Sequence, residues 1–431
     1  MTADETPSPA ARFSSLPARA QFAPDGDRLA KVACQRRNGQ PGGMDTALTL
    51  HHVITLLEQR YPPSTAHDWD AVGLVTGDRS SPIGTVLLAV DPVDTVVDEA
   101  IEIGADLIIT HHPLLLRGVT SVSTDTPKGA LVHRLIRAGI ALYVAHTNAD
   151  IAAGGVNEAL ADLVGLKDAR PLQPAPGEDL DLLITYVPTP QAEQVRQALG
   201  AAGAGQVGEY TGCAWSVTGT GEFTPVGSAD PTIGTVGEHT KVEEVRLEMV
   251  LPPSRRTQVV TALRDAHPYE EPAFSVVPTA PAPSGTGLGR IGTLPNSMTL
   301  RELAEHVASV LPATAHGVRI GGDPQALVRT VAVCGGSGDS LLEAARAAGV
   351  DAYLTADLRH HPASEALAHP DAPGLLDVAH WASEWPWLPI AADYLRARVD
   401  ASGTPLDVRV STRPTDPWSD RVEQSRQEGA V

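Results

Sequence analysis

GADLIITHHP, residues 104–113, decides the fold. A glycine ends one helical stretch, an apolar run follows, and two histidines and a proline close it. A short apolar run without polar alternation reads as a strand buried on both faces, as in a parallel sheet. The flanking sequence repeats the pattern. Upstream, 85–90 (TVLLAV) is another apolar run and 93–103 has helical spacing. Downstream, 129–138 is helical, 140–145 (IALYVA) is a third strand and 156–164 a further helix. Strands alternating with helices predict an α/β fold with a parallel-type sheet.

Residues 349–362, GVDAYLTADLRHHP, echo the opening stretch from its glycine through an apolar strand to His-His-Pro. They lie in a second α/β region, with strands at 330–334, 351–355 and 375–378 and helices at 339–348 and 390–398. The echo suggests a pseudo-repeat. Between the two regions the composition changes. Strand, helix, strand, strand, helix, strand is the order read over 171–283, which suits a small α+β domain inserted into the core. Pro-rich segments, PLQPAPGED and PTAPAPSGTG, mark its ends. The expected organisation is a two-part α/β core, 44–170 and 284–410, interrupted by that insert. Residues 1–43, rich in Ala, Pro, Arg and Gly, read as a disordered leader, and 411–431 as a polar tail.

Of 431 residues, 42% are hydrophobic and only 4% aromatic, so aliphatic side chains must build the core. A net charge of −20 argues against a nucleic-acid or anionic membrane partner. Three scattered cysteines form neither a disulfide framework nor a CxxC metal site. With no signal-peptide pattern and no apolar run of membrane length, a cytoplasmic location is expected.

Three segments carry candidate chemistry, each directly after an apolar strand. His111 and His112 follow ADLIIT and can serve two adjacent metals, or one metal and a further contact. In HTNAD (146–150), Asp150 offers a hard oxygen, and Asn148 or His146 can orient a ligand or water. In HWASE (380–384), the i, i+4 spacing puts His380 and Glu384 on one helical face. Each alone is more often a polar loop or a capped turn than a ligand. Ligands of open α/β sheets gather beyond the carboxyl ends of strands. Together the segments therefore assign His111, His112, Asp150, His380 and Glu384 as an N/O ligand set for two ions of Zn, Mn, Fe or Co. Asp357, His360 and His361 follow another strand and are read as substrate-facing or supporting, or else as a plain surface loop. Gly335-Gly336-Ser337-Gly338 is open to two readings, a phosphate cradle or a tight strand-to-helix turn. His51 and His52 read as structural. With no G-x-S-x-G and no cysteine beside a candidate base, covalent nucleophilic catalysis has no support.

WDAVGLVTGD (69–78), DLIITHHPLLL (106–116), AHTNAD (145–150), LTADLRHHP (354–362) and DVAHWASE (377–384) resemble the GTP cyclohydrolase 1 type 2 homologue family, also called the Nif-three-like dinuclear metal centre family. The likeness spans about 45–410 and matches every assigned metal position. It departs at Ala71, where the family pattern has Asn. The resemblance implies a dinuclear site between the two core halves, a homohexameric ring, and an insert resembling the PII and CutA proteins. GCAWSVTGTGEFTP (212–225), DPTIG (230–234) and AHPYEEPA (266–273) fit that insert. The activity implied is metal-dependent hydrolysis of a nucleotide or phosphorylated small molecule. The alternative is a non-catalytic metal-binding ring that regulates a partner.

Overall fold

The computed structural model describes residues 48–177, 179–281, 283–400 and 405–423. The expected leader therefore lies outside the described residues. Helix α1 (Leu50–Arg60) buries Leu50, Val53, Ile54 and Leu57, a stripe at helical spacing. Then come β1 (Gly73–Thr76), β2 (Thr85–Ala89), α2 (Asp94–Ile103) and β3 (Leu107–Thr110). Gly104 ends α2 at φ 67, the left-handed cap that glycine adopts without strain. Next are α3 (Pro127–Ala138), β4 (Ala141–Val144), α4 (Thr147–Ile151) and α5 (Val156–Val164).

Strands β2, β3 and β4 are parallel, and all four residues of β3 are buried, as its unbroken apolar run requires. The chain then leaves along β5 (Lys167–Pro176) and builds β6 (Asp181–Pro188), α6 (Ala192–Ala201), β7 (Trp215–Phe223), β8 (Thr240–Leu251), α7 (Arg256–Ala266) and β9 (Phe274–Pro278). Strands β6 to β9 make a separate antiparallel sheet in the order β7-β8-β6-β9. Val195, Leu199, Val259 and Leu263 of its two helices pack on Leu183, Leu247 and Leu251.

The chain returns through β10 (Pro283–Thr299) and completes α8 (Leu300–Val310), β11 (Arg319–Gly321), β12 (Leu327–Ser337), α9 (Leu342–Ala347), β13 (Ala352–Ala356), α10 (His360–Leu367), β14 (Gly374–Val378), α11 (His380–Glu384), α12 (Trp387–Asp400) and β15 (Asp407–Val410). Its sheet runs β11-β14-β13-β12-β10-β5, with β12, β13 and β14 parallel. The first sheet runs β1-β4-β3-β2-β15. Both sheets are thus mixed forms of the expected α/β fold: the first is parallel from β4 through β15 with β1 antiparallel at its edge, and the second has a parallel centre flanked by antiparallel strands.

Three features depart from the sequence reading. The Pro-rich segments are not mere linkers, because β5 and β10 pair antiparallel from Thr293↔Lys167 out to Pro283↔Pro176. Strand β5 lies at the sheet's edge, where a missing amide proton is tolerated. The two core parts also do not separate cleanly along the chain. Strand β15 joins the first sheet beside β2, and Trp387, Leu388 and Leu395 of α12 share a cluster with Leu50 and Leu57 of α1. Finally, the stretch after β15, expected as a tail, is tied down. Ser411 donates its amide to the Leu88 carbonyl at 2.8 Å, and Arg413 reaches Glu102 at 2.6 Å. Hydrogen bonds and ion pairs hold this stretch, so no apolar periodicity announces it. No described helix is long and apolar enough to cross a membrane.

Candidate metal centre

The ends of β3, β4 and β14 deliver side chains to one place. His111 Nδ1 lies 2.9 Å from the Ala145 carbonyl. A carbonyl only accepts, so Nδ1 carries the proton and the Nε2 lone pair faces the site. That Nε2 is 3.4 Å from Glu384 Oε1 and 3.7 Å from Asp150 Oδ1. His112 rests its Nδ1 on Asp91 at 2.7 Å, which leaves Nε2 at 3.1 Å from Glu384 Oε2 and 3.2 Å from His380 Nε2. His380 rests its Nδ1 on Asp357 at 2.7 Å, with Nε2 2.9 Å from Glu384 Oε1. All five residues assigned from the sequence are therefore brought together, with Glu384 between the imidazoles.

His146 is a sixth member. Its Nδ1 meets Asp70 at 2.8 Å and its ring lies 5.0 Å from that of His111. The ligand-type atoms form two groups, His111 with His112 and His146, and His112 with His380 and Glu384. Within each group the atoms lie within 4.8 Å of one another. Each imidazole is held on Nδ1 by a carboxylate or carbonyl and turns Nε2 inward, as outer partners of metal-bound histidines do. The sequence reading gave His146 only an orienting role and missed Asp70 and Asp91. The signal used for the others was available for Asp91 and His146, which each follow an apolar strand, but not for Asp70, which precedes β1.

The electrostatics of this arrangement favours positive charge among its acceptors. His111 Nε2, Asp150 Oδ1 and Glu384 Oε2 are buried without a hydrogen-bond partner. Acceptors facing acceptors in a dry site are costly unless positive charge sits among them. Burial disfavours charge on His112, yet Glu384 and Asp91 outweigh it and raise its pKa to about 10. Glu384 and Asp357 likewise overcome burial at His380 and raise it to about 11. Burial pushes the Glu384 carboxyl upward, but the surrounding imidazoles hold it well below the ordinary range. At Asp150 burial prevails, with Glu384 adding to it, and the pKa is raised. Divalent ions among these atoms satisfy the same demand, and the imidazole and carboxylate donor set fits them.

The glycine run lies against the site. Gly336 has φ 68, and a Cβ there would collide with Glu384 Oε1. Its amide already donates to Ser383 Oγ at 2.8 Å, and that of Gly335 to Asn157 Oδ1 at 2.9 Å. These engaged amides do not fit the phosphate cradle, and the run is not wholly a turn either: Gly335, Gly336 and Ser337 are the irregular end of β12, and only Gly338 follows it. Asp357 has φ 55, rare for a residue with a side chain, and its carboxylate braces His380. His360 and His361 open α10, are exposed and belong to neither ligand group.

A family profile, Duf34/NIF3 (NGG1p interacting factor 3), matches residues 48–417. The chain belongs to this family. Among NIF3-family relatives, a Mycobacterium tuberculosis protein called GTP cyclohydrolase 1 type 2 homolog is 52% identical over 374 residues. That match covers 86% of this chain and 97% of the relative. A Bacillus subtilis protein of the same name is 45% identical over 315 residues, 73% of this chain and 84% of its own. The crystal structure of Staphylococcus aureus protein SA1388 superposes with a TM-score of 0.75 at 30% identity, covering 87% of this chain and 99% of that one. A Bacillus cereus protein related to NIF3 gives 0.66 at 38% identity, with 86% and 98% covered. Both neighbours share the two-part α/β fold.

Proposed function

We propose that the protein is a metal-dependent hydrolase holding two divalent ions of Zn, Mn, Fe or Co. His111, His112, Asp150, His380 and Glu384 are the ligands, with His146 as a sixth, and the substrate is a nucleotide or another phosphorylated small molecule. The observation that carries this reading is the set of buried, partnerless acceptors, His111 Nε2, Asp150 Oδ1 and Glu384 Oε2, converging from two sheets. Two ions there would supply a water acidified toward neutral pH and a clamp for anionic oxygens. The chain's own part is orientation. Asp70, Asp91, Asp357 and the Ala145 carbonyl fix the imidazoles, and Glu384 turns Oε1 toward His111 and His380 and Oε2 toward His112. The relatives' name nominates GTP as the first compound to try. We also place the protein in the cytoplasm as a homohexameric ring.

Elemental analysis of purified protein, followed by a turnover screen of GTP, other nucleotides and phosphate esters with the metals found, tests the reading. The expected result is two ions per chain and release of a hydrolysis product. Bound metal with no turnover across the panel would favour a non-catalytic metal-binding or regulatory ring. Sedimentation velocity tests the hexamer.

A further inference from the structure

Two carboxylates behind the candidate ligands are gripped in the same way. Asp70 takes His146 Nδ1 on Oδ1, and on Oδ2 it accepts the amide and the hydroxyl of Thr147. Asp91 takes His112 Nδ1 on Oδ1 at 2.7 Å, and on Oδ2 it accepts the hydroxyl of Thr415. The difference lies in where the threonine comes from. Thr147 is the chain neighbour of His146, whereas Thr415 arrives from the stretch after β15, 324 residues from Asp91. That stretch is tied to both sides of the metal centre. The Ser411 amide donates to Leu88 of β2, the strand that runs into Asp91. The Ser411 carbonyl accepts the indole N–H of Trp385, the residue after Glu384, at 2.9 Å. The Ser411 hydroxyl donates to Glu99 at 2.6 Å and Arg413 to the Thr95 carbonyl at 3.0 Å, both in α2. From Thr415 onward the chain then lines a cavity of about 250 Å³ together with His112 and His380.

We propose that residues 411–418 form a strap that belongs to the metal centre, with Thr415 as the positioning residue for His112. Among the described residues, Thr415 makes the one hydrogen bond to Asp91 Oδ2. Without it the carboxylate is held only at Oδ1, by the imidazole it supports, and is free to turn about its Cβ–Cγ bond. With it, the hydroxyl fixes Asp91, Asp91 fixes the His112 ring, and Nε2 stays turned toward Glu384 and His380. A metal ion then meets a ring already in place, and outer partners of this kind raise metal affinity by orienting the ligand beforehand. The far end of the chain thus does for His112 what the adjacent residue does for His146. The inference rests on the function proposed above only in that the site binds metal, and it asks nothing of turnover.

The test is competition between the full chain and a chelator for whichever of Zn, Mn, Fe and Co the wild-type protein binds. It compares wild type, Thr415→Val and Thr415→Ser, with thermal melts of the metal-free chains alongside. Valine keeps the branched shape of threonine and removes the hydroxyl, whereas serine keeps the hydroxyl. Thr415→Val should lower metal affinity at least about tenfold, and Thr415→Ser should retain the wild-type affinity. If Thr415→Val binds metal as tightly as wild type, or if Thr415→Ser loses as much as Thr415→Val, the hydroxyl plays no part in the centre and the proposal is overturned while the metal reading stands. A lower melt of metal-free Thr415→Val with unchanged metal affinity also overturns it, since the bond would then only hold the strap down. A wild-type chain that binds none of the four metals overturns this inference and the proposed function together.

Discussion

GADLIITHHP and GVDAYLTADLRHHP start alike and end differently. Each begins at a glycine with φ 67 and runs through an aspartate into a strand with a parallel neighbour on either side. Asp106 accepts the amides of Gly84 and Thr85, both at 2.9 Å. Asp351 accepts those of Arg329 and Thr330, at 2.9 and 2.8 Å. The same clamp thus fixes the same strand in each sheet. After the strand the paths part. Strand β3 passes straight into His111 and His112, whose rings turn inward. Strand β13 passes into Asp357, where a positive φ redirects the chain, so His360 and His361 of the following His-His-Pro lie exposed at the start of α10. There the neighbouring strand, β14, supplies the inward side chains, and the β13 end supplies only the brace on His380. A repeated motif therefore fixes a strand end without fixing what that end contributes.

The largest effect is expected where the two sheets meet. Glu384→Gln keeps size and shape but removes the charge between the imidazoles. Bound metal should fall from two ions per chain to one or fewer, with circular dichroism unchanged. A full two-ion count in that variant would remove Glu384 from the ligand set and break the link between the sheets. Asp357→Asn should do less, because it alters a brace and leaves every inward-facing atom in place. Both ions should bind at saturation, with affinity lowered about 10- to 100-fold, measured by competition with a chelator. Unchanged affinity would make the β13 end a bystander.

Much of this was legible in the sequence. The apolar runs gave the parallel strands because burial on both faces leaves no room for polar alternation. The five assigned side chains could be named because strand ends of an α/β sheet gather ligands. What stayed hidden depends on contacts between distant segments. No local pattern foretells that Asp70 will hold His146, that Lys167–Pro176 will pair with Pro283–Thr299, or that Ser411 and Arg413 will bind the first sheet. His360-His361 was the reverse case, a local match whose meaning one backbone torsion changed.

The clamps themselves can be compared. Asp106→Ala and Asp351→Ala each remove a charged acceptor from two amides, at a cost of about 1 kcal/mol given their partly solvated setting. Thermal melts should show similar small falls in Tm for the two, and a large disparity would argue against the sheets being equivalent. Excision of the insert should leave metal content untouched, since its strands supply none of the assigned ligands. The cut belongs at Pro176 and Pro283, where the β5–β10 ladder ends. If metal content fell to zero in a folded product, the ligand set would be incomplete.

The smallest effect sharpens the comparison most. His360→Ala with His361→Ala mirrors, in the second sheet, the change His111→Ala with His112→Ala in the first. By sequence the two double variants are the same edit to the same motif. In the structure, His111 is fully buried with its Nε2 facing Glu384 and Asp150, whereas His360 and His361 are exposed and touch only each other's rings among the aromatic contacts. Exposed substitutions of this kind usually change stability by no more than about 0.5 kcal/mol. The second-sheet variant should therefore keep both ions, the wild-type melt and any turnover, while the first-sheet variant loses metal. If elemental analysis showed equal loss in both, Asp357 would not divert the chain as described, and the two strand ends would be equivalent after all.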